Sequence, residues 1–229
     1  MAERGAGRED GRGRWHELAR TNSTELWLVL VLGAMVLGLS LSAERFFSLV
    51  NFTDLLNTSA VNVIFAMGLL AVLIAGSIDI SFAVAASVVQ YLTALAVLQL
   101  GGGGWFAAFL VASASGVALM SLNAALIHHF RIISIVVTIA TFNVFFGLLM
   151  FFTRGVSIYD LPLWWTSRVI LWERETASGA WAEITLPALA MLLCVAATWF
   201  LIARTSIGRQ LYAYGDNPEG ARRLGIGAG

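Results

Sequence analysis

Six apolar runs govern what this chain can become: residues 26–43, 58–76, 82–100, 105–127, 132–152 and 186–203. Each is close to the roughly 20 residues that a helix needs to cross a bilayer core of about 30 Å. Hydrocarbon offers no water to backbone N–H and C=O groups. Each run must therefore close its hydrogen bonds within itself, as a helix. Composition agrees, with 59% of residues hydrophobic and 12% charged, against about 25% charged in a soluble domain. The predicted fold class is all-α, a polytopic transmembrane helix bundle with about six spans.

Charge placement predicts how the spans are oriented. All 14 basic residues are arginine, and they balance 14 acids. Zero net charge argues against a nucleic-acid partner. With the N-terminus in the cytoplasm, the inside segments 1–25, 77–81, 128–131 and 204–229 hold ten arginines and the outside segments hold four, as the positive-inside rule requires. The expected domains are a solvated cytoplasmic tail over 1–25, a membrane domain over 26–203 and a cytoplasmic loop over 204–229. The first run is too long for a signal core and more spans follow it, which disfavours cleavage near 40–43. Gly101–Gly104 reads as a flexible turn and not a phosphate loop, since no Lys-Ser/Thr follows. Residues 153–185 form the one long external connection, with Trp164, Trp165, Trp172 and Trp181. These tryptophans fit an interfacial belt or a docking surface for an external partner.

Polar residues inside the apolar runs are the candidate path. Asp79 is the one acid between residues 58 and 152, in the break Gly76-Ser77-Ile78-Asp79-Ile80-Ser81. A carboxylate at membrane depth faces protein or a water-filled cavity. The break is either a bend beside a solute path or an ordinary turn in which Asp79 or Ser81 caps the next helix. Asn62, Gln90, Asn123 and Asn143 lie in separate runs, and Ser134, Thr138 and Thr141 share one helix face. Such groups can line a path for a hydroxylated solute or glue helices together. The adjacent His128 and His129 are poor joint metal ligands, and the lone Cys194 reads as packing. No constellation for catalysis is seen, so neither a cofactor nor a metal is expected.

Beyond residue 203 the helix punctuation is clear. Asn217 suits an N-cap and Pro218 the first helical position. Glu219 suits the positive end of the dipole, Arg222 and Arg223 the last turn, and Gly225 the position just past the helix. A helix of about two turns is too short to stand alone and needs a partner surface.

The stretch Gly208-Arg209…Tyr212-Ala213…Gly215…Asn217-Pro218…Ala221…Gly225-Ile226 resembles the cytoplasmic loop of ribose/xylose/autoinducer-type ABC importer permeases, with Thr205 also in place and Gly220 standing for an alanine. Gly76–Ser81 resembles the family's G-G-I-D-L-S, with Ser77 for a glycine. Asn123…Arg131-Ile132…Thr138…Gly147 resembles a further family segment, with Ala124 for a glycine and Ile133 for a proline. The resemblance implies a permease subunit, multi-pass in the bacterial inner membrane, for a sugar or sugar-like solute. It implies a cytoplasmic ABC ATPase, a periplasmic solute-binding protein and a second permease subunit as partners, with membrane lipid around the spans. Gly208, Arg209, Ala213, Gly215, Asn217, Pro218, Ala221 and Gly225 are then the expected ATPase-coupling residues. Asp79, Ser81, Asn62, Gln90, Asn123, Thr138 and Asn143 are the expected substrate path. Family members continue past the Gly-Ile pair with more spans, so the chain is expected to lack their C-terminal portion. The rivals are an ion-coupled secondary transporter, a membrane-embedded enzyme and a structural subunit. Which solute is carried is not legible in the residues.

Overall fold

The computed structural model describes residues 23–43, 45–177 and 179–226. Its elements are α1 (Ser23–Ser42), α2 (Leu49–Ile74), α3 (Phe82–Gln99), α4 (Gly104–Phe130), α5 (Ser134–Thr153), α6 (Leu163–Thr166), β1 (Ile170–Glu175), β2 (Trp181–Thr185), α7 (Leu186–Arg204), α8 (Ser206–Asp216) and α9 (Pro218–Arg223). The tail expected over 1–25 lies outside the described residues as far as residue 22. Its last three residues already belong to α1.

Five described helices, α2, α3, α4, α5 and α7, are long and apolar enough to cross a membrane. The sixth expected span is shorter. Its apolar stretch is Leu26–Ser42, which at 1.5 Å per residue covers about 26 Å, a little under the usual hydrocarbon thickness. Helix α2 starts nine residues ahead of the expected run at 58, at Leu49. The all-α expectation holds for the spans, while the 153–185 connection adds a two-stranded hairpin, β1–β2.

The chain forms two compact units. The first comprises residues up to Leu55 together with Arg174–Ala182. Polar side chains there serve the backbone: Asn51 Nδ2 donates to Phe46 O at 2.7 Å, and the Thr53 hydroxyl donates to Val50 O at 2.9 Å. The turn at the hairpin tip closes with Gly179 N–H donating to Thr176 O at 2.8 Å.

The second unit comprises Leu56–Glu173 and the residues from Glu183 onward. Its core lies among α3, α4 and α5, where Val84, Ala85 and Phe145 are buried and Val88, Leu119, Met120 and Phe142 pack around them. The outward faces stay apolar, with Phe106 81% and Phe151 75% exposed. Water would not tolerate that much contiguous apolar surface, but lipid does. The expected turn forms at Gly101, Gly102, Gly103 and Gly104, all at positive φ, a region that glycine enters without steric cost.

Candidate translocation and coupling elements

The break between α2 and α3 is built as a tethered loop. Asp79 Oδ1 accepts from the Ser81 N–H and the Ser81 hydroxyl, each at 2.7 Å. Ser81 is fully buried, and its Oγ also accepts from Asn123 Nδ2 of α4 at 2.7 Å. Ile78 is bonded at both backbone groups: its N–H donates to Ser134 Oγ at 3.2 Å, and its carbonyl accepts from Thr138 Oγ1 at 3.4 Å. Short polar side chains on α4 and α5 thus tie the loop at Ser81 and at both backbone groups of Ile78. Asn123 Oδ1 is buried and has no hydrogen-bond partner among the described residues. The expected helix cap takes a different form. Ser81 occupies the N-cap position of α3, but its side chain makes no capping bond. The Asp79 carboxylate serves Ser81 itself.

Four expected path residues, Asp79, Ser81, Asn123 and Thr138, therefore meet at one loop. The other three do not join them. Asn62 is exposed. Asn143 is exposed and donates to its own helix at Ile139 O, 2.8 Å away. Gln90 is exposed and lines two neighbouring cavities. The larger, of about 540 Å³, is almost wholly apolar and is walled by Ala85, Ala108, Ala112, Trp105, Trp164 and Trp165. The smaller, of about 270 Å³, is half polar and includes Ser87, Gln90, Tyr91, Thr153 and Ser157. Trp164 stands edge-on to Trp105 with ring centroids 5.1 Å apart. Trp172 and Trp181 are exposed on the hairpin strands.

The segment after α7 is a pair of helices folded back on the spans. Thr205 is the N-cap of α8: its Oγ1 accepts from Gly208 N at 3.3 Å and donates to Leu201 O at 2.5 Å. Gly208 is buried, and a Cβ there would overlap the main chain of Ile202. At the other end of α8, a Cβ on Gly215 would overlap the carbonyl oxygen of Ile74. The two glycines seven residues apart let one face of α8 lie flat against the ends of α7 and α2. Gly208, Leu211 and Gly215 fall on that face.

Helix α9 forms with the caps its sequence predicts. Asn217 Oδ1 accepts from Gly220 N at 2.9 Å, and Pro218 opens the helix. Gly225 has φ +80°, Gly225 N–H donates to Arg222 O and Ile226 N–H to Ala221 O, each at 3.0 Å. Those two bonds are a Schellman motif. Ala221 is buried, Ala213 half-buried, and Arg209 exposed. Helix α8 itself was not expected. Its signal is Thr205 followed by apolar Ile207, Leu211 and Tyr214 among polar neighbours.

Long apolar helices, a tethered polar loop and an amphipathic arm folded on the helix ends define a multi-pass α-helical membrane protein. The chain belongs to the family described as branched-chain amino acid transport system / permease component, which matches residues 51–228. It is 32% identical over 210 residues to the autoinducer 2 import system permease protein LsrC of Yersinia pseudotuberculosis serotype O:1b (strain IP 31758), covering 89% of this chain and 54% of that protein. The same identity and coverage hold for the LsrC protein of Yersinia pestis (strain Pestoides F). The chain spans about half the length of these curated relatives. No solved structure matches it.

Proposed function

We propose that this chain is part of the transmembrane permease subunit of an ATP-driven ABC importer that moves a sugar or sugar-like solute into the cytoplasm across the bacterial inner membrane. The observation that carries this reading is the α8–α9 arm, in which Gly208 and Gly215 seat a short helical pair on the ends of the spans. A small, capped, solvent-facing pair pressed onto membrane helices is suited to pass force from a soluble motor to those helices. The arginine asymmetry supports a cytoplasmic location for residues 204–229 and an external one for the 153–185 connection.

In this reading the domains are a cytoplasmic tail over 1–25, a membrane domain over 26–203 and a coupling loop over 204–229. A separate ABC ATPase grips α8–α9, with Gly208, Arg209, Ala213, Gly215, Asn217, Pro218, Ala221 and Gly225 shaping the grip. A periplasmic binding protein delivers the solute, and a second permease subunit completes the path. The Asp79, Ser81, Asn123 and Thr138 cluster lies along or beside that path, and Gln90 stands in the half-polar cavity. Asn62 and Asn143 are exposed and face a neighbouring subunit or lipid. The relatives' name points to a solute of autoinducer 2 type.

The complete transporter, reconstituted in liposomes with its ATPase and binding protein, tests this. Uptake of labelled autoinducer 2 or of a monosaccharide should require ATP and survive collapse of the proton gradient. Uptake that ignores ATP and stops when the gradient collapses would establish an ion-coupled secondary transporter instead.

A further inference from the structure

The arm and the polar loop touch directly. Gly215, near the end of α8, lies main chain to main chain on Ile74 and Gly76. A Cβ on Gly215 would stand 3.1 Å from Gly76 N, and a Cβ on Gly76 would stand 3.2 Å from Gly215 O. Gly76 has φ +77°. The loop that starts at this contact ends at Ser81, which is bonded to Asn123 of α4. Its middle residue, Ile78, is bonded to Ser134 and Thr138 of α5. One short segment, 76–81, therefore has its first residue against the arm and its later residues tied to two different spans.

We propose that this segment is the relay by which the arm moves the spans, with Gly215, Gly76, Ser81 and Asn123 as positioning residues. The proposal rests on the transport reading above. Two glycine backbones in contact have no side chains to yield, so displacement of α8 shifts Gly76 instead of being absorbed. At its far end the loop carries a two-way bond. In the arrangement seen, Asn123 Nδ2 donates to Ser81 Oγ, and the Ser81 hydroxyl donates to Asp79. Rotating the Asn123 amide presents Oδ1 to Ser81. The hydroxyl proton then turns to Asn123, and Asp79 keeps only the Ser81 backbone N–H. These are two discrete hydrogen-bond states of one buried group, the kind of bistable element through which coupling travels. Movement of the loop relative to α4 selects between them.

The test measures solute uptake and ATP hydrolysis together in the reconstituted complete transporter. Variants Ser81→Ala, Asn123→Ala and Gly215→Ala are compared with Thr166→Ala, which alters an exposed threonine whose hydroxyl donates to Leu163 O of its own short helix. Ser81→Ala and Asn123→Ala should leave hydrolysis in place and lower uptake per ATP on the order of tenfold. Thr166→Ala should leave the ratio alone. The double variant Ser81→Ala/Gly215→Ala should be no worse than its worse single parent, because both break one chain. Ser81→Ala removes one oxygen and keeps the fold within reach even if Asn123→Ala does not assemble. Uptake per ATP within about twofold of normal for Ser81→Ala, or effects that multiply independently in the double variant, would overturn the relay alone. No ATP-driven uptake by the unaltered transporter would overturn the functional reading and the relay with it.

Discussion

Asn57 on α2 and Thr185 at the end of β2, 128 positions apart, are joined by two hydrogen bonds: Asn57 Oδ1 accepts the Thr185 N–H at 3.1 Å and its hydroxyl at 2.9 Å. Asn57 Nδ2 completes the clasp by donating to Glu183 O at 2.8 Å. One amide thus holds the strand that leads into α7. Asn57→Leu keeps the volume and removes all three bonds. It should cost about 1–3 kcal/mol locally, the range for unpaired polar groups left in a part-buried site. Amides 181–186 should exchange hydrogen faster as a result. Unchanged protection there would mean that the clasp contributes nothing.

The glycines of the arm are unequal, and their differences are open to measurement. Gly208→Ala and Gly215→Ala each push a methyl into backbone, and overpacking of this kind costs about 1–3 kcal/mol. The expected result is loss of exchange protection across 206–216 with the spans intact. Gly220→Ala meets only the Asn217 side chain, at 3.2 Å, and gains up to about 1 kcal/mol of helix propensity. It should be neutral or mildly stabilising. Equal damage from all three would contradict the packing described here.

Asn217→Ala removes the cap of α9 and should cost about 1 kcal/mol, while Asn217→Ser should keep most of it. The exposed Glu219–Arg223 pair, 2.7 Å apart, should matter less, about 0.3–0.5 kcal/mol. Limited proteolysis between residues 216 and 226 ranks these variants. If Arg223→Ala opens the segment more than Asn217→Ala, the capping account is wrong.

Much of this fold is legible in the residues. The long helices follow from apolar run length alone, since a lipid-crossing backbone has few options. Helix α9 follows from Asn217, Pro218 and Gly225, because caps are local chemistry. The early start of α2 is hidden by Asn51, Thr53 and Asn57, which look like loop residues but bond to nearby carbonyls or across to β2. The hairpin is hidden because Ile170–Glu175 is exposed along its whole length and lacks a clean alternation. Helix α8 escapes a run-length reading because it is amphipathic and lies outside the spans. At the site, the residue types could be picked out but not their meeting. Ser81 and Asn123 are 42 positions apart, and no spacing rule joins a loop to the middle of a later helix. Gln90, Asn62 and Asn143 look equivalent to Asn123 in sequence. Only burial separates them.

The most direct test of the account asks what holds the arm. In membranes containing the complete transporter, with every other cysteine including Cys194 replaced, Arg222→Cys places a thiol on the exposed face of α9. The account predicts that a thiol-anchored photocrosslinker there captures the ATPase subunit, and that the thiol is labelled only from the cytoplasmic side. Labelling from the opposite side, or capture of lipid alone while ATP-driven uptake proceeds, would contradict it.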